Sequence, residues 1–93
     1  MEDDLMEKIK RAAEILKSFG ATEVYLFGSV ATGNYNEHSD IDMAVSGLPP
    51  ENFFPAMGGA GDVLKRELDL IDLDESSPFT RYLKVEGELK RVG

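Results

Sequence analysis

The chain has no cysteine, few basic residues and no long apolar run. Without cysteine it forms no disulfide, no zinc–thiolate site and no thiol nucleophile, and we expect a cytoplasmic location. No apolar run approaches the ~20 residues that cross a bilayer, so we expect no membrane segment. The N-terminus, MEDDLMEKIK, is acidic where a signal peptide would be basic.

Acidic residues outnumber basic ones by 18 to 10, which gives a formal net charge of −8. A surface this negative repels a phosphate backbone, so nucleic acid is not an expected partner. A nucleotide is still compatible with this charge, because a divalent metal ion can bridge carboxylates and phosphates. With 93 residues, of which 42% are hydrophobic, residues 1–93 are expected to form one small domain.

The spacing of apolar residues predicts alternating helices and strands. We expect a helix over Asp3–Phe19, strands over Thr22–Phe27, Asp40–Val45 and Glu67–Leu73, a helix from Pro78 to near Gly87, and a short strand over Glu88–Val92. Three glycines between positions 58 and 61 argue against one continuous helix over Pro49–Lys65. The predicted fold class is α/β (α+β), with one mixed sheet of three to four strands and helices packed on it.

Most aromatic side chains are expected in or near the core. This expectation covers Tyr25, Phe27, Phe79 and Tyr82, and it extends to the apolar patch formed by Phe53, Phe54, Pro55 and Met57. For the second group, a nucleobase shelf or a partner contact is the alternative.

Asp40 and Asp42 stand two residues apart at the start of a predicted strand, so their carboxylates point to the same side of the sheet. Like charges this close raise each other's pKa, and a divalent cation relieves the repulsion. Oxygen ligands select hard ions such as magnesium. An Asp-x-Asp pattern alone is more often the solvated face of a strand. Asp69 and Asp72 on the next predicted strand favour a metal site, because either could complete an acidic cluster.

Gly28 and Ser29 follow the first predicted strand directly. Glycine permits a tight turn, and the backbone N–H groups that such a turn exposes attract an anion. A lone Gly-Ser is most simply a plain turn. Combined with the acid pair that follows ten residues later, it indicates a site for a metal-bound polyphosphate.

These residues, within the stretch LFGSVATGNYNEHSDIDMAV, resemble the signature of the nucleotidyltransferase superfamily that includes DNA polymerase beta. The short chain looks like the minimal nucleotidyltransferases (MNT) of that superfamily. The later ELDLIDL segment resembles the strand that carries the family's third carboxylate. The resemblance implies a nucleotidyltransferase fold over nearly the whole chain.

The resemblance also implies roles for individual residues. Gly28 and Ser29 would bind the β- and γ-phosphates of a nucleoside triphosphate, and Asp40 and Asp42 would ligate Mg²⁺. Asp69 would be the third carboxylate, a metal ligand that also accepts the proton of the incoming hydroxyl; Asp72 is the competing candidate. The implied reaction transfers a nucleoside monophosphate, with AMP from ATP as the main expectation, to a hydroxyl.

Minimal nucleotidyltransferases typically pair with a small helical HEPN-type protein, and in several pairs the antitoxin adenylylates a tyrosine of the toxin. The resemblance therefore implies a HEPN-type partner within a homo- or hetero-oligomer. Two alternatives are a non-catalytic module that acts by binding a helical partner, and transfer to a small molecule such as an aminoglycoside.

One feature departs from the family pattern. Many relatives carry arginines just after Gly-Ser, but here the turn reads GSVATG. Basic residues near a triphosphate neutralise its charge. Lys65, Arg66 or a partner protein would have to supply that charge instead.

Overall fold

The computed structural model describes residues 3–93, which form a four-stranded sheet with helices packed on it. In chain order the elements are α1 (Asp3–Ser18), β1 (Glu23–Phe27), α2 (Gly28–Thr32), β2 (Ile41–Ser46), a 3₁₀ turn (Pro50–Asn52), α3 (Phe53–Leu64), β3 (Leu68–Asp72), α4 (Pro78–Val85) and β4 (Lys90–Arg91). The strand order is β3-β2-β1-β4, with β2 and β3 parallel and the other pairs antiparallel. The predicted mixed sheet is therefore confirmed. No helix within residues 3–93 is long and apolar enough to cross a membrane.

Helix α1 is amphipathic and covers one face of the sheet. Its buried residues recur at helical spacing: Leu5, Ile9, Ala12, Ala13 and Leu16. Ile9 and Leu16 are fully buried, and each contributes about 1.5–3 kcal/mol through removal of apolar surface from water. The helix stops before Gly20, whose φ of 122° is one that residues with a side chain rarely adopt.

The expectation of a broken helix over Pro49–Lys65 is wrong, because α3 runs without interruption from Phe53 to Leu64. Its buried residues, Ala56, Ala60 and Leu64, stand four apart and face the core. Packing of this stripe outweighs the low helix propensity of the glycines. Gly59 faces α1, and a Cβ built on it would lie only 3.2 Å from Cγ2 of Ile15.

The two faces of the sheet differ in character. One face carries apolar side chains beneath α1 and α3, namely Val24, Leu26, Ile41, Met43, Val45, Leu68 and Leu70. On the other face, a smaller cluster joins Ala44 to Leu83 of α4 and to Leu73. Alternation along the strands places Asp42 and Asp69 on this second face, which α4 covers in part.

Some aromatic side chains are more exposed than the sequence predicts. Phe54 is 73% exposed, Tyr82 is 55% exposed and Phe79 is 48% exposed, so the core assignment is wrong for these three. Tyr25 and Phe27 are half-buried against the smaller cluster. The exposed rings lie in the surface segments that surround the second face of the sheet.

We predict that Gly58→Ala stabilises the protein. A Cβ built at Gly58 would have no atom within 4 Å of it. Alanine has fewer backbone conformations than glycine in the unfolded chain, so less conformational entropy is lost when the helix forms. The free energy of unfolding should rise by about 0.5–1 kcal/mol, measured by urea denaturation. Gly59→Ala is the matched control, because its Cβ would press on Ile15 and should give a smaller gain or a loss. Equal gains at both positions would contradict the α1–α3 packing described above.

Candidate active site

Asp42 and Asp69 lie side by side on neighbouring parallel strands. Their Cα atoms are paired in the register of β2 and β3, so both carboxyl groups project from the second face of the sheet. When Asp42 is protonated, its carboxyl can donate a hydrogen bond to the Asp69 carboxylate. Burial and the charges of Asp69 and then Asp40 raise the pKa of Asp42 above its ordinary value, and the hydrogen bond with Asp69 acts in the same direction.

Asp40 lies in the loop immediately before β2 and is exposed. It is the second charge that acts on Asp42, after Asp69. The structure therefore brings together the three carboxylates that the sequence singled out, with Asp42 at their centre.

Asp72 lies elsewhere. It is three residues beyond Asp69 on β3, and the alternation of the strand turns its side chain toward the opposite face. Its Oδ1 accepts a hydrogen bond of 2.9 Å from the backbone N–H of Asp74. Asp74 in turn accepts hydrogen bonds from the Gly47 N–H (2.6 Å) and the Ser46 hydroxyl (3.0 Å). Asp72 thus belongs to a loop-fixing network, and Asp69 is the residue opposite Asp42.

Gly28 packs directly against the Asp42 carboxylate. Its φ of 75° favours glycine, and a Cβ built there would collide with Oδ2 of Asp42. Gly28 begins α2, and no side chain among the described residues caps the N-terminus of that helix. Half-buried Ser29 follows it. The predicted phosphate turn and the predicted acid pair are therefore in contact.

Arg66 holds the loop that leads to Asp40. Its guanidinium donates hydrogen bonds to the backbone carbonyls of Asn36 (2.9 Å) and Ser39 (3.2 Å). The Asn36 side chain accepts a further bond of 2.8 Å from the N–H of His38. Arg66 is therefore committed to the loop, and α2 has no basic residue of its own. No local sequence pattern indicates this role, because the hydrogen bond from Arg66 to Asn36 joins residues thirty positions apart.

A cleft of about 410 Å³ opens beside the acids. Asp42 and Asp69 line it together with the aromatic rings of Phe27, Phe53 and Phe79. The rest of the lining is apolar: Phe54, Met57, Leu68, Leu70 and Ile71. Phe27 and Phe79 pack with ring centroids 6.4 Å apart. The charged groups therefore sit at the edge of an apolar recess that could hold an organic ligand.

The acid pair has the chemistry that a hard divalent cation requires. Carboxylate oxygens are its preferred ligands. Burial, and then the charges of Asp69 and Asp40, raise the pKa of Asp42, and a cation beside the carboxylates would stabilise its ionised form. Within residues 3–93, no group of three or more His, Cys, Asp or Glu side chains is arranged so that it could hold a metal ion. Mg²⁺ is commonly bound by one or two carboxylates, with water and substrate phosphates as the other ligands. Asp42 and Asp69, with Asp40 beside them, fit that mode.

Comparison with protein families gives a match over nearly all of this structure. The polymerase beta nucleotidyltransferase family matches residues 7–89. The chain belongs to this family. The resemblance noted in the sequence is thereby confirmed, and the matched range contains the Gly-Ser turn and all three carboxylates. No curated protein matches the chain by sequence.

Solved structures show the same nucleotidyltransferase fold. One described as a minimal nucleotidyltransferase is 21% identical, with a TM-score of 0.71 and 88% of each chain covered. A toxin–antitoxin structure with AMP-PNP is 26% identical, with a TM-score of 0.69, and covers 90% of this chain and 70% of that one. A tri-AMPylated HEPN toxin in complex with an MNT antitoxin, from Shewanella oneidensis, is 21% identical, with a TM-score of 0.69 and coverages of 96% and 71%.

We predict that Gly28→Ala destabilises this nucleotidyltransferase more than Gly33→Ala does. Both glycines have positive φ, 75° and 85°, so alanine at either position costs about 1–2 kcal/mol in backbone strain. A Cβ at Gly33 meets nothing within 4 Å, whereas one at Gly28 displaces the Asp42 carboxylate. Urea denaturation of both variants measures the difference. Equal losses would mean that Gly28 and Asp42 are not in contact.

We also predict that Asp42→Asn stabilises the folded protein at neutral pH. Since the pKa of Asp42 is raised on folding, its ionised form opposes folding, and this penalty grows as pH rises from the ordinary value of 3.8 through the raised value. The melting temperature of the variant should exceed that of the wild type at pH 7, and the two should converge near pH 3. Asp62→Asn, an exposed site on α3, is the control and should show no such trend. A variant less stable than the wild type at pH 7 would contradict the prediction.

Proposed function

We propose that this chain is a Mg²⁺-dependent nucleotidyltransferase that transfers AMP from ATP to a hydroxyl group, and that the acceptor is a tyrosine of a HEPN-type partner protein. One observation carries the proposal: Asp42 and Asp69 are paired across β2 and β3 directly beside Gly28. Membership in the polymerase beta nucleotidyltransferase family supports this chemistry.

Each residue has a defined part in this proposal. The backbone of Gly28 and the hydroxyl and backbone of Ser29 bind the β- and γ-phosphates. Asp42 and Asp69 would hold the metal, with Asp40 beside them as a further carboxylate ligand. When bound, Mg²⁺ neutralises phosphate charge and stabilises the attacking and leaving oxygens. Asp42, as the central carboxylate, is ionised when it carries out this role, so metal binding should lower its pKa.

The bond changes follow from these positions. The acceptor hydroxyl oxygen forms a bond to the α-phosphorus of ATP, and the bond between the α-phosphorus and its bridging oxygen to the β-phosphate breaks. Pyrophosphate leaves from the side of Gly28 and Ser29, and the Asp69 carboxylate accepts the hydroxyl proton. The protein contributes positioning and charge stabilisation, as in other phosphoryl transfers.

The choice of ATP and of a protein acceptor draws on the structural neighbours. One toxin–antitoxin structure contains AMP-PNP, and another contains an AMPylated HEPN toxin with its MNT antitoxin. The open cleft beside Asp69 is consistent with an acceptor that belongs to a second protein, because its walls leave the acids accessible from outside.

A non-catalytic module that acts by binding a partner is the second candidate. Two observations favour it. Helix α2 has no basic residue, and the Arg66 guanidinium already donates its hydrogen bonds to the loop before β2. A triphosphate would then meet little positive charge from this chain apart from the metal. The pairing of Asp42 and Asp69 beside Gly28 suits a bound cation and so favours the catalytic candidate.

We predict that Asp69→Asn abolishes AMP transfer and that Asp72→Asn does not. The purified chain is incubated with Mg²⁺, ATP and a HEPN-type protein, and mass spectrometry follows the AMP added to the acceptor. Loss of the proton acceptor and metal ligand should lower the rate by on the order of 10²–10⁴-fold. Asp72→Asn is the matched control, because an asparagine oxygen can still accept the hydrogen bond from Asp74.

The same assay separates the two candidates. Stable binding of the partner by the wild type with no AMP added, over ATP and Mg²⁺ concentrations that saturate related enzymes, would favour the binding module. Transfer that Asp69→Asn leaves intact would contradict the assigned role of Asp69.

A further inference from the structure

Strand β3 forms the edge of the sheet next to the acid pair. The Ile41 N–H donates to the Glu67 carbonyl, and the Leu73 N–H donates to the Val45 carbonyl. In a parallel ladder this pattern directs the backbone groups of Asp69 and Ile71 toward β2. The backbone groups of Leu68, Leu70 and Asp72 must then point away from the sheet.

The outward groups of Leu68 and Leu70 have no hydrogen-bond partner among residues 3–93, whereas the carbonyl of Asp72 accepts a bond from the Glu75 N–H. An edge strand with free N–H and C=O groups is a template for another strand. Proteins commonly blunt such an edge with proline, charged side chains (especially lysine) or a bulge. β3, with the sequence LDLID, contains neither proline nor lysine, and its two charged residues, Asp69 and Asp72, are both acidic.

A groove runs along this edge. The cleft beside Asp69 is lined by Leu68 and Leu70, and a second cleft of about 530 Å³ continues past Asp72 to Glu75. Phe53 and Phe54 line both clefts, with ring centroids 5.5 Å apart in an edge-to-face arrangement. The two clefts share these two rings, and we refer to them together as the groove; Phe54 leaves 73% of its surface exposed there.

The far end of the groove is strongly acidic. Asp72, Asp74 and Glu75 line it, and they face the apolar side chains of Leu48 and Pro50. Asp72 and Asp74 are fixed by hydrogen bonds within the loop, so these charges are held in place. Glu75 is exposed and its side chain has no partner in the described part of the chain. The groove is therefore apolar along the strand and negative at its end.

We propose that the edge of β3 is a docking site for an extended segment of a partner protein, which adds as a fifth strand. Its apolar side chains lie on Phe53 and Phe54, and a Lys or Arg at its end meets Asp72, Asp74 and Glu75. Alternate residues of such a segment face the side of the sheet that carries Asp42 and Asp69. If the proposed nucleotide transfer is correct, a hydroxyl on one of those residues is delivered beside Asp69; the docking itself does not depend on that chemistry.

The negative charge along β3 and the loop after it favours a basic partner segment over a second copy of this chain. Pairing of two β3 edges would bring together two sets of Asp69, Asp72 and Glu75, and the chains each carry a net charge of −8. Like charges that face each other across strands are destabilising. A basic partner does not meet this repulsion, and its positive charges are attracted by the same acidic side chains.

Amide hydrogen exchange tests this proposal with a defined probe, a synthetic peptide of alternating valine and threonine with lysine at both ends. In the free protein, the amides of Leu68 and Leu70 should exchange faster than those of Asp69 and Ile71, which bond to β2. Saturating peptide should slow exchange at Leu70 about tenfold or more, because its N–H becomes part of a ladder. The amides of α1 should not change.

Two controls address the chemistry of the groove. A peptide with glutamate in place of lysine should bind at least about tenfold more weakly at low salt.

Glu75→Lys should weaken binding of the lysine peptide. Glu86→Lys changes another exposed glutamate, at the end of α4, and should leave the affinity for this peptide within about twofold of the wild-type value. Both measurements use no nucleotide and no metal, so they succeed or fail independently of the proposed transfer.

Three results would overturn the proposal. The first is peptide binding with no protection of the Leu68 and Leu70 amides. The second is equal affinity for the glutamate peptide. The third is protection of the same amides in the free protein that rises with its concentration, since this would show that a second copy covers the edge.

Discussion

The repulsion between Asp42 and Asp69 is the constraint on which the candidate site depends. Two carboxylates paired across parallel strands, one of them half-buried, are unfavourable unless a proton or a cation lies between them. The fold keeps them in place because the opposite faces of β2 and β3 carry buried side chains such as Ile41, Met43 and Leu68. Burial of apolar side chains on one face of the sheet stabilises the fold, so the other face can carry charged side chains.

The same division explains how a small domain carries a reactive site. Helices α1 and α3 bury the apolar face, and α4 covers only part of the charged face, around Ala44 and Leu83. The uncovered remainder of the charged face opens onto the cleft beside Asp69, and this cleft continues around the edge of β3. A chain built in this way leaves room for a second protein next to the acids, and the proposed acceptor and the proposed docking segment both use that space.

Much of the fold follows from local patterns in the sequence. The spacing of Leu5, Ile9 and Leu16 predicts α1, and the alternation in DIDMAV predicts both β2 and the shared direction of Asp40 and Asp42. The continuity of α3 was missed, because glycine propensity is a local property while the packing of Ala56 and Ala60 against the core is not. The role of Arg66 and the exposure of Phe54 depend on contacts between distant parts of the chain, which no periodicity encodes. The choice between Asp69 and Asp72 needed the register of β2 and β3, since a one-residue difference in strand phase reverses the face.

Titration of Asp42 by NMR, through its side-chain carboxyl carbon, tests the central claim most directly. The account predicts a pKa above the ordinary value of 3.8 in the free protein, a lower value in the Asp69→Asn variant, and a further fall when Mg²⁺ is added to the wild type. An Asp42 that titrates at or below its ordinary pKa, unaffected by Asp69 or by Mg²⁺, would show that the two carboxylates do not share a site.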